Sequence, residues 1–204
     1  MKQTTRTIPE LLAEPALWAA FVADMQSGGV AVLPTDTLYG LAADAGSPAG
    51  VRAIYDAKGR GEEKPLILFL PDAEGLSRLG ITPEPRVRRL LDRHWPGGFT
   101  AVFALSGRPL PAFEFPSLGV RVPNHPELLQ LLRRYPGGLL TTSANKSGLP
   151  PLPDAASIIE TFGPAVAWVL DGGRLEPSPP STVADVSVWP PRILRQGKIL
   201  LDLS

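Results

Sequence analysis

"VAVLPTDTLYGLAADAG", Val30 to Gly46, starts as a buried strand and changes character at Pro34. Val30, Ala31, Val32 and Leu33 form an apolar run too short for a helix, which reads as a core strand. Thr35, Asp36, Thr37 and Tyr39 then set hydroxyls and a carboxylate where that run stops. Polar residues at a strand end can build a turn. They can equally face the crevice beyond a sheet, where open α/β sheets hold ligands. The stretch alone leaves both readings open.

Working outward, helical and strand-like patterns alternate. Pro15 opens a helix whose Trp18, Phe21, Val22 and Met25 fall on one face, and Gly28-Gly29 end it. Ser47-Pro48 is an N-cap followed by proline at the first helical position, leading a helix through Val51, Ile54 and Tyr55. "LILFL" (66–70), "FTAVFAL", "LGVRVP", "GLLTTSAN" and "AVAWVLDGG" read as strands. Thr82-Pro83-Glu84 opens a helix carrying Val87, Leu90 and Leu91, "HPELLQLLRRY" is helical, and so is Asp154 to Phe162. "STVADVS", "PRILRQG" and "KILLDL" read as short strands. The pattern predicts one α/β domain over 1–204: a twisted, open, mixed sheet flanked by helices. "KGRGEEKP" (58–65) and "EPSPPS" (176–181) read as loops, the first as the segment best able to move.

Composition narrows the function. The 204 residues carry 20 basic and 20 acidic side chains, so no global field draws the protein to nucleic acid or an anionic membrane. With no cysteine, disulfides, thiolate metal sites and a cysteine nucleophile are excluded. The N-terminus, interrupted by acidic residues and prolines, is no signal peptide, and no apolar run is long enough for a bilayer. A cytoplasmic protein without membrane partners is the expectation. Templates for a phosphate-binding P-loop, GxGxxG, HExxH or GxSxG are missing, and two histidines cannot build a multi-histidine metal site.

What remains are polar clusters at strand ends. Lys58 and Arg60, two apart in a glycine-loosened segment, would share a face if the backbone is extended, with Lys64 as a third cation. Such cations suit a polyphosphate; the plainer reading is a solvated loop neutralised by Glu62 and Glu63. Ser143 and Asn145 either bind a ligand or cap a turn, and Ser181 and Thr182 either bind or cap a strand. Arg121 and Arg195 are lone cations in strand-like runs: such a side chain snorkels to solvent, or holds an anion if its head lies in a crevice. His125 reads as a capping or packing residue rather than a base. Together these groups suit positioning and electrostatic stabilisation of a phosphoryl or nucleotidyl transfer.

The motifs "PTDTLYGL", "KGRGEEKPL", "WPGGFTAVF", "VRVPNHP", "TTSANKSG", "STVADV" and "LRQG", in this order from about Val30 to Gly197, resemble the YrdC-like threonylcarbamoyl-AMP synthases. The resemblance implies an α/β sheet with a large concave substrate-binding face. It implies that L-threonine, bicarbonate or CO2, and ATP become threonylcarbamoyl-AMP and pyrophosphate. A downstream threonylcarbamoyl transferase complex then modifies N6 of adenosine 37 in tRNA, and tRNA is itself a candidate partner. Mg2+ is implied as ATP's companion, with no dedicated metal site. Lys58, Arg60, Ser143 and Asn145 match the family's KxR and SxN residues and become the catalytic candidates. Arg60, Lys64, Ser117, Asn145 and Arg195 match ATP contacts. Thr35, Arg121, Ser143 and Ser181 match threonine contacts. Phe69 stands where longer relatives carry a histidine near threonine, "WPGG" replaces the commoner WPGP, and Pro153 lies where relatives often place a serine or threonine. The chain resembles the short form, without a C-terminal extension domain, so any lid would come from elsewhere, "KGRGEEKP" being the candidate. Two rivals differ in class. One is a non-catalytic RNA-binding paralogue, disfavoured by zero net charge and intact KxR and SxN residues. The other is the carbamoyl-adenylate-forming module of hydrogenase maturation, normally part of longer, cysteine-bearing chains.

Overall fold

A computed structural model describes residues 3–59, 65–107 and 110–202. In chain order the elements are β1 (Thr4–Arg6), α1 (Ile8–Ala13), α2 (Pro15–Gln26), β2 (Ala31–Leu33), β3 (Gly40–Asp44), α3 (Pro48–Lys58), β4 (Ile67–Phe69), α4 (Gly75–Arg78), α5 (Pro85–His94), β5 (Phe99–Ala104), β6 (Ser117–Arg121), α6 (Pro126–Arg134), β7 (Leu139–Ser143), α7 (Ala155–Phe162), β8 (Trp168–Leu170), β9 (Thr182–Asp185) and β10 (Arg192–Arg195). The strands form one mixed sheet in the order β1-β8-β2-β3-β7-β4-β6-β5-β9-β10. Helix α3 packs on β3 and α7 on β8, while α1 lies against α2 and α6.

The local grammar explains most boundaries. Ser47 Oγ accepts the Gly50 N–H and Pro48 opens α3; Asp154 likewise caps α7 through Ser157. His125 is the N-cap of α6, its Nδ1 accepting the Leu128 N–H at 3.3 Å. Helix α5 begins at Pro85, later than Thr82, because Glu84 takes the extended N-cap conformation. The expected "KILLDL" strand does not form over 198–202. There the Ile199 N–H is satisfied by Thr182 Oγ1, and the Ile199 carbonyl by Thr182 Oγ1 and the Gln196 side chain, in place of a ladder.

Strand alternation sets up the site. In β6, Leu118 and Val120 are fully buried in the apolar core, while Ser117, Gly119 and Arg121 face a cavity on the opposite side of the sheet. Ile67 and Phe69 of β4, paired with Gly119 and Arg121, face the same way, as do Thr141 and Ser143 of β7. A Cβ at Gly119 would lie 2.9 Å from Ile67 Cγ2, so glycine keeps this floor flat.

Candidate functional site

The cavity has a volume of about 430 Å3 and crosses the middle of the sheet. Its walls include Thr35, Phe69, Ser117, Arg121, Ser143, Ser181 and Arg195, gathering candidates scattered over 161 positions of sequence, from 35 to 195. Lys58 and Asn145 stand behind the wall and reach it through Ser143. Arg60 and Lys64 lie outside the described residues, as does most of "KGRGEEKP".

The opening stretch does more than turn the chain. Thr35 Oγ1 donates to the Leu38 carbonyl at 2.7 Å and accepts the Thr37 and Leu38 N–H groups at 3.0 and 3.1 Å. A hydroxyl has one proton and two lone pairs, so this closed turn leaves Thr35 no spare donor for a ligand. Tyr39, wholly buried, donates to the Gly173 carbonyl at 2.7 Å and accepts the Gly172 N–H at 2.8 Å. Thr35 and Tyr39 thus fix the loop from both sides.

Arg121 is 3% exposed, yet its head borders the cavity. Its Nε donates to the Gly97 carbonyl (2.9 Å), Nη1 to Thr37 Oγ1 (3.0 Å) and Nη2 to Asp36 Oδ1 (2.6 Å). The guanidinium carbon lies 5.9 Å from the centre of the Phe69 ring. Three of five N–H donors are committed in these contacts, leaving one on each terminal nitrogen. Burial pulls the Arg121 pKa below the usual arginine value; Asp36 opposes this, and the nearby Arg195 charge adds to it. Arginine remains protonated under such a shift.

Arg195 comes from the edge strand β10. Its Nη2 donates to the Ser181 carbonyl (2.9 Å) and to Ser181 Oγ (3.2 Å), and burial lowers its pKa. Ser181 Oγ also pairs with Thr100 Oγ1 at 2.8 Å, and Thr100 is fully buried. Two residues on, Gly197 passes so close to Pro180 and Ser181 that a Cβ there would overlap their backbone.

Lys58 is the last residue of α3, and Gly59 (φ 58°) caps it in the left-handed region. The extended backbone that would set Lys58 and Arg60 on one face is therefore absent at this point. Lys58 is 3% exposed, and its ammonium is turned inward. It donates to the Ser143 carbonyl (2.5 Å), the Asn145 carbonyl (2.7 Å) and Asn145 Oδ1 (3.2 Å). Ser143 Oγ donates to the same Oδ1 at 2.5 Å, and Asn145 Nδ2 donates to the carbonyls of Lys146 and Leu149. Three predicted residues are thus one connected unit, in which Asn145 caps the loop as well as meeting Lys58. Sequence reasoning missed Thr100 and Gly97, and gave Asp36 and Thr37 a place only in the turn. Their only trace was position, inside "WPGGFT" and "PTDT".

The cleft on this mixed α/β sheet brings the buried Arg121 and the edge-strand Arg195 together among hydroxyls, the site of an open-sheet α/β protein. A family model for Sua5, YciO and YrdC proteins, described as "Telomere recombination", matches residues 23–197. The chain belongs to this family. It is 38% identical over 185 residues to the human threonylcarbamoyl-AMP synthase, covering 83% of this chain and 62% of the human one. The crystal structure of Pyrococcus abyssi Sua5 complexed with L-threonine matches with a TM-score of 0.79 at 31% identity, over 90% of this chain and 55% of that one. Escherichia coli YciO matches with the same TM-score at 25% identity, over 93% and 92% of the two chains.

Proposed function

We propose that this protein is a threonylcarbamoyl-AMP synthase, a nucleotidyltransferase that joins L-threonine, bicarbonate or CO2 and ATP, releasing pyrophosphate. Its product supplies the threonylcarbamoyl group for N6 of adenosine 37 in tRNA, through a separate transferase. The observation that carries this reading is the charge of the cleft floor. Arg121 and Arg195 both line it and Asp36 pairs with Arg121, on a fold shared with a relative solved with L-threonine.

The amine of threonine takes up CO2 to form N-carboxythreonine. A carbamate oxygen attacks the α-phosphorus of ATP, and pyrophosphate leaves. Arg121 receives the threonine carboxylate on its two remaining N–H groups, an arrangement that matches guanidinium geometry. Ser143 and Ser181 border the space between the two substrates. Arg195, with Arg60 and Lys64, offsets the charge growing on the leaving phosphates. Lys58 fixes the Ser143–Asn145 unit; to touch phosphate itself it must release one of its carbonyl partners. Fixed donors of this kind act by orientation as much as by charge.

Mg2+ enters this reading as part of the nucleotide. The cleft's donor set does not fit a resident metal: no carboxylate is among its described lining residues, and Asp36 behind Arg121 is already paired with it. A cytoplasmic location, where ATP, L-threonine and tRNA meet, is part of this reading. The decisive test incubates the purified protein with ATP, bicarbonate and labelled L-threonine. Pyrophosphate and a threonine-containing adenylate are the expected products. Salt-dependent RNA binding without threonine-dependent ATP consumption would refute the reading in favour of an RNA-binding paralogue.

A further inference from the structure

Asp36 carries a carboxylate that the turn does not need. Turn closure is the work of Thr35 Oγ1, which bonds Thr37 N, Leu38 N and the Leu38 carbonyl. Asp36 instead points its side chain, 11% exposed, at Arg121 Nη2. We propose that Asp36 is a positioning residue for the amino-acid substrate: it fixes the guanidinium of Arg121, and with it the two N–H groups that receive the substrate carboxylate. The inference rests on the threonine-binding reading given above.

Three features distinguish this from a pair that merely holds the fold together. First, the pair sits at the cavity rather than in the apolar core, since Arg121 itself lines the cleft. Second, every partner of Arg121 restrains a different nitrogen: Gly97 takes Nε, Thr37 takes Nη1 and Asp36 takes Nη2. Neutral partners hold the first two, so Asp36 is the charged member that sets the plane from the third. Third, Arg195 repels Arg121 across the cleft. A guanidinium facing a like charge swings away unless a fixed anion opposes it. Asp36 is itself fixed, because Lys198 Nζ donates to its carbonyl oxygen at 2.6 Å. An orienting carboxylate behind a substrate-binding arginine changes how well one substrate is held and leaves the other alone.

The test compares Asp36→Asn and Asp36→Glu with wild type. Asparagine keeps an acceptor oxygen and removes the charge; glutamate keeps the charge and displaces it. Threonine-dependent pyrophosphate release gives KM for threonine and for ATP, and threonine-induced thermal protection gives binding without turnover. For Asp36→Asn the threonine KM should rise about tenfold or more, since small misplacements of a binding group are costly. The ATP KM should stay within about twofold, and threonine protection should be lost. Asp36→Glu should recover part of the threonine KM. A threonine KM within about twofold of wild type, or equal rises in both KM values, overturns the proposal. If Asp36→Asn does not fold, Asp36→Glu decides: a selective rise in threonine KM supports the proposal and parity with wild type overturns it. A wild-type protein with no threonine-dependent signal refutes the parent reading and this inference with it. A wild-type signal that Asp36→Asn leaves unchanged refutes the inference alone.

Discussion

Replacing Lys58 with methionine keeps the stem of the side chain and deletes its ammonium. The carbonyls of Ser143 and Asn145 and the Asn145 Oδ1 then lose a charged donor at 2.5, 2.7 and 3.2 Å. A buried polar group stripped of its partner costs roughly 1–3 kcal/mol. Ser143 and Asn145 are only half-buried, so water replaces part of the loss at those oxygens. The net effect should be about 3 kcal/mol. For a chain of this size that lowers Tm by about 6–12 °C. Calorimetry without ATP reads the anchoring role, and pyrophosphate release reads activity. Both should fall. A variant that loses activity while its ligand-free Tm stays within about 2 °C of wild type refutes the anchoring argument. Lys58 would then act on phosphate alone. A double-mutant cycle with Asn145→Ala adds a second check. The two substitutions share a hydrogen bond, so they should fall short of additivity by about 1 kcal/mol.

Two further substitutions address the walls of the cleft. Burial is the main cause that pushes the Tyr39 hydroxyl up to about 12, with Gly172 opposing and Asp171 adding. Unfolded tyrosine titrates near ~10. The folded state therefore binds the proton more tightly, and its advantage is complete below about pH 10 and lost as pH rises toward about 12. Urea unfolding between pH 9 and 12 should show roughly 3 kcal/mol of alkaline loss that Tyr39→Phe lacks. Equal slopes in the two proteins would contradict this. Thr100→Val, nearly isosteric, removes the hydroxyl 2.8 Å from Ser181 Oγ. It should cost about 1–2 kcal/mol in denaturant unfolding and raise the threonine KM several-fold through Ser181. An unchanged KM would detach Thr100 from the site.

Local signals carried far in this chain, and their failures have physical causes. Ser47-Pro48 and Asp154 predicted helix starts because capping is a short-range bond, and the structure places a cap at each. Thr7-Ile8-Pro9-Glu10 spells a capping box and was legible too, yet the six-residue helix behind it offers no apolar period to notice. Strand β3 was hidden because "GLAAD" lacks β-branched residues and is buried on both faces, which erases alternation. At the site, Arg121 and Arg195 were visible as odd cations in apolar strands. Their meeting at one cleft was not, since β6 and β10 are separated in the sheet by β5 and β9. Nor could spacing reveal that Lys58 reaches residues 85 positions away. The saturation of Thr35 needed coordinates, because turn-building and ligand-binding threonines look alike in sequence.

The sheet order also has a consequence for synthesis on the ribosome. Strand β5 is flanked by β6, the next strand in the chain, and by β9, which arrives some eighty residues after β5 with Ser181 at its threshold and Arg195 on the following strand. A nascent chain that has emerged only as far as β8 holds Arg121, Asp36 and Ser143 but lacks that wall of the cleft. Its β5 presents an unpaired edge of mostly buried residues, the kind of edge that recruits other strands. Chains stalled before Pro180 thus lack Ser181 and Arg195 and expose an edge prone to cluster, so the cleft closes only when β9 and β10 are laid down.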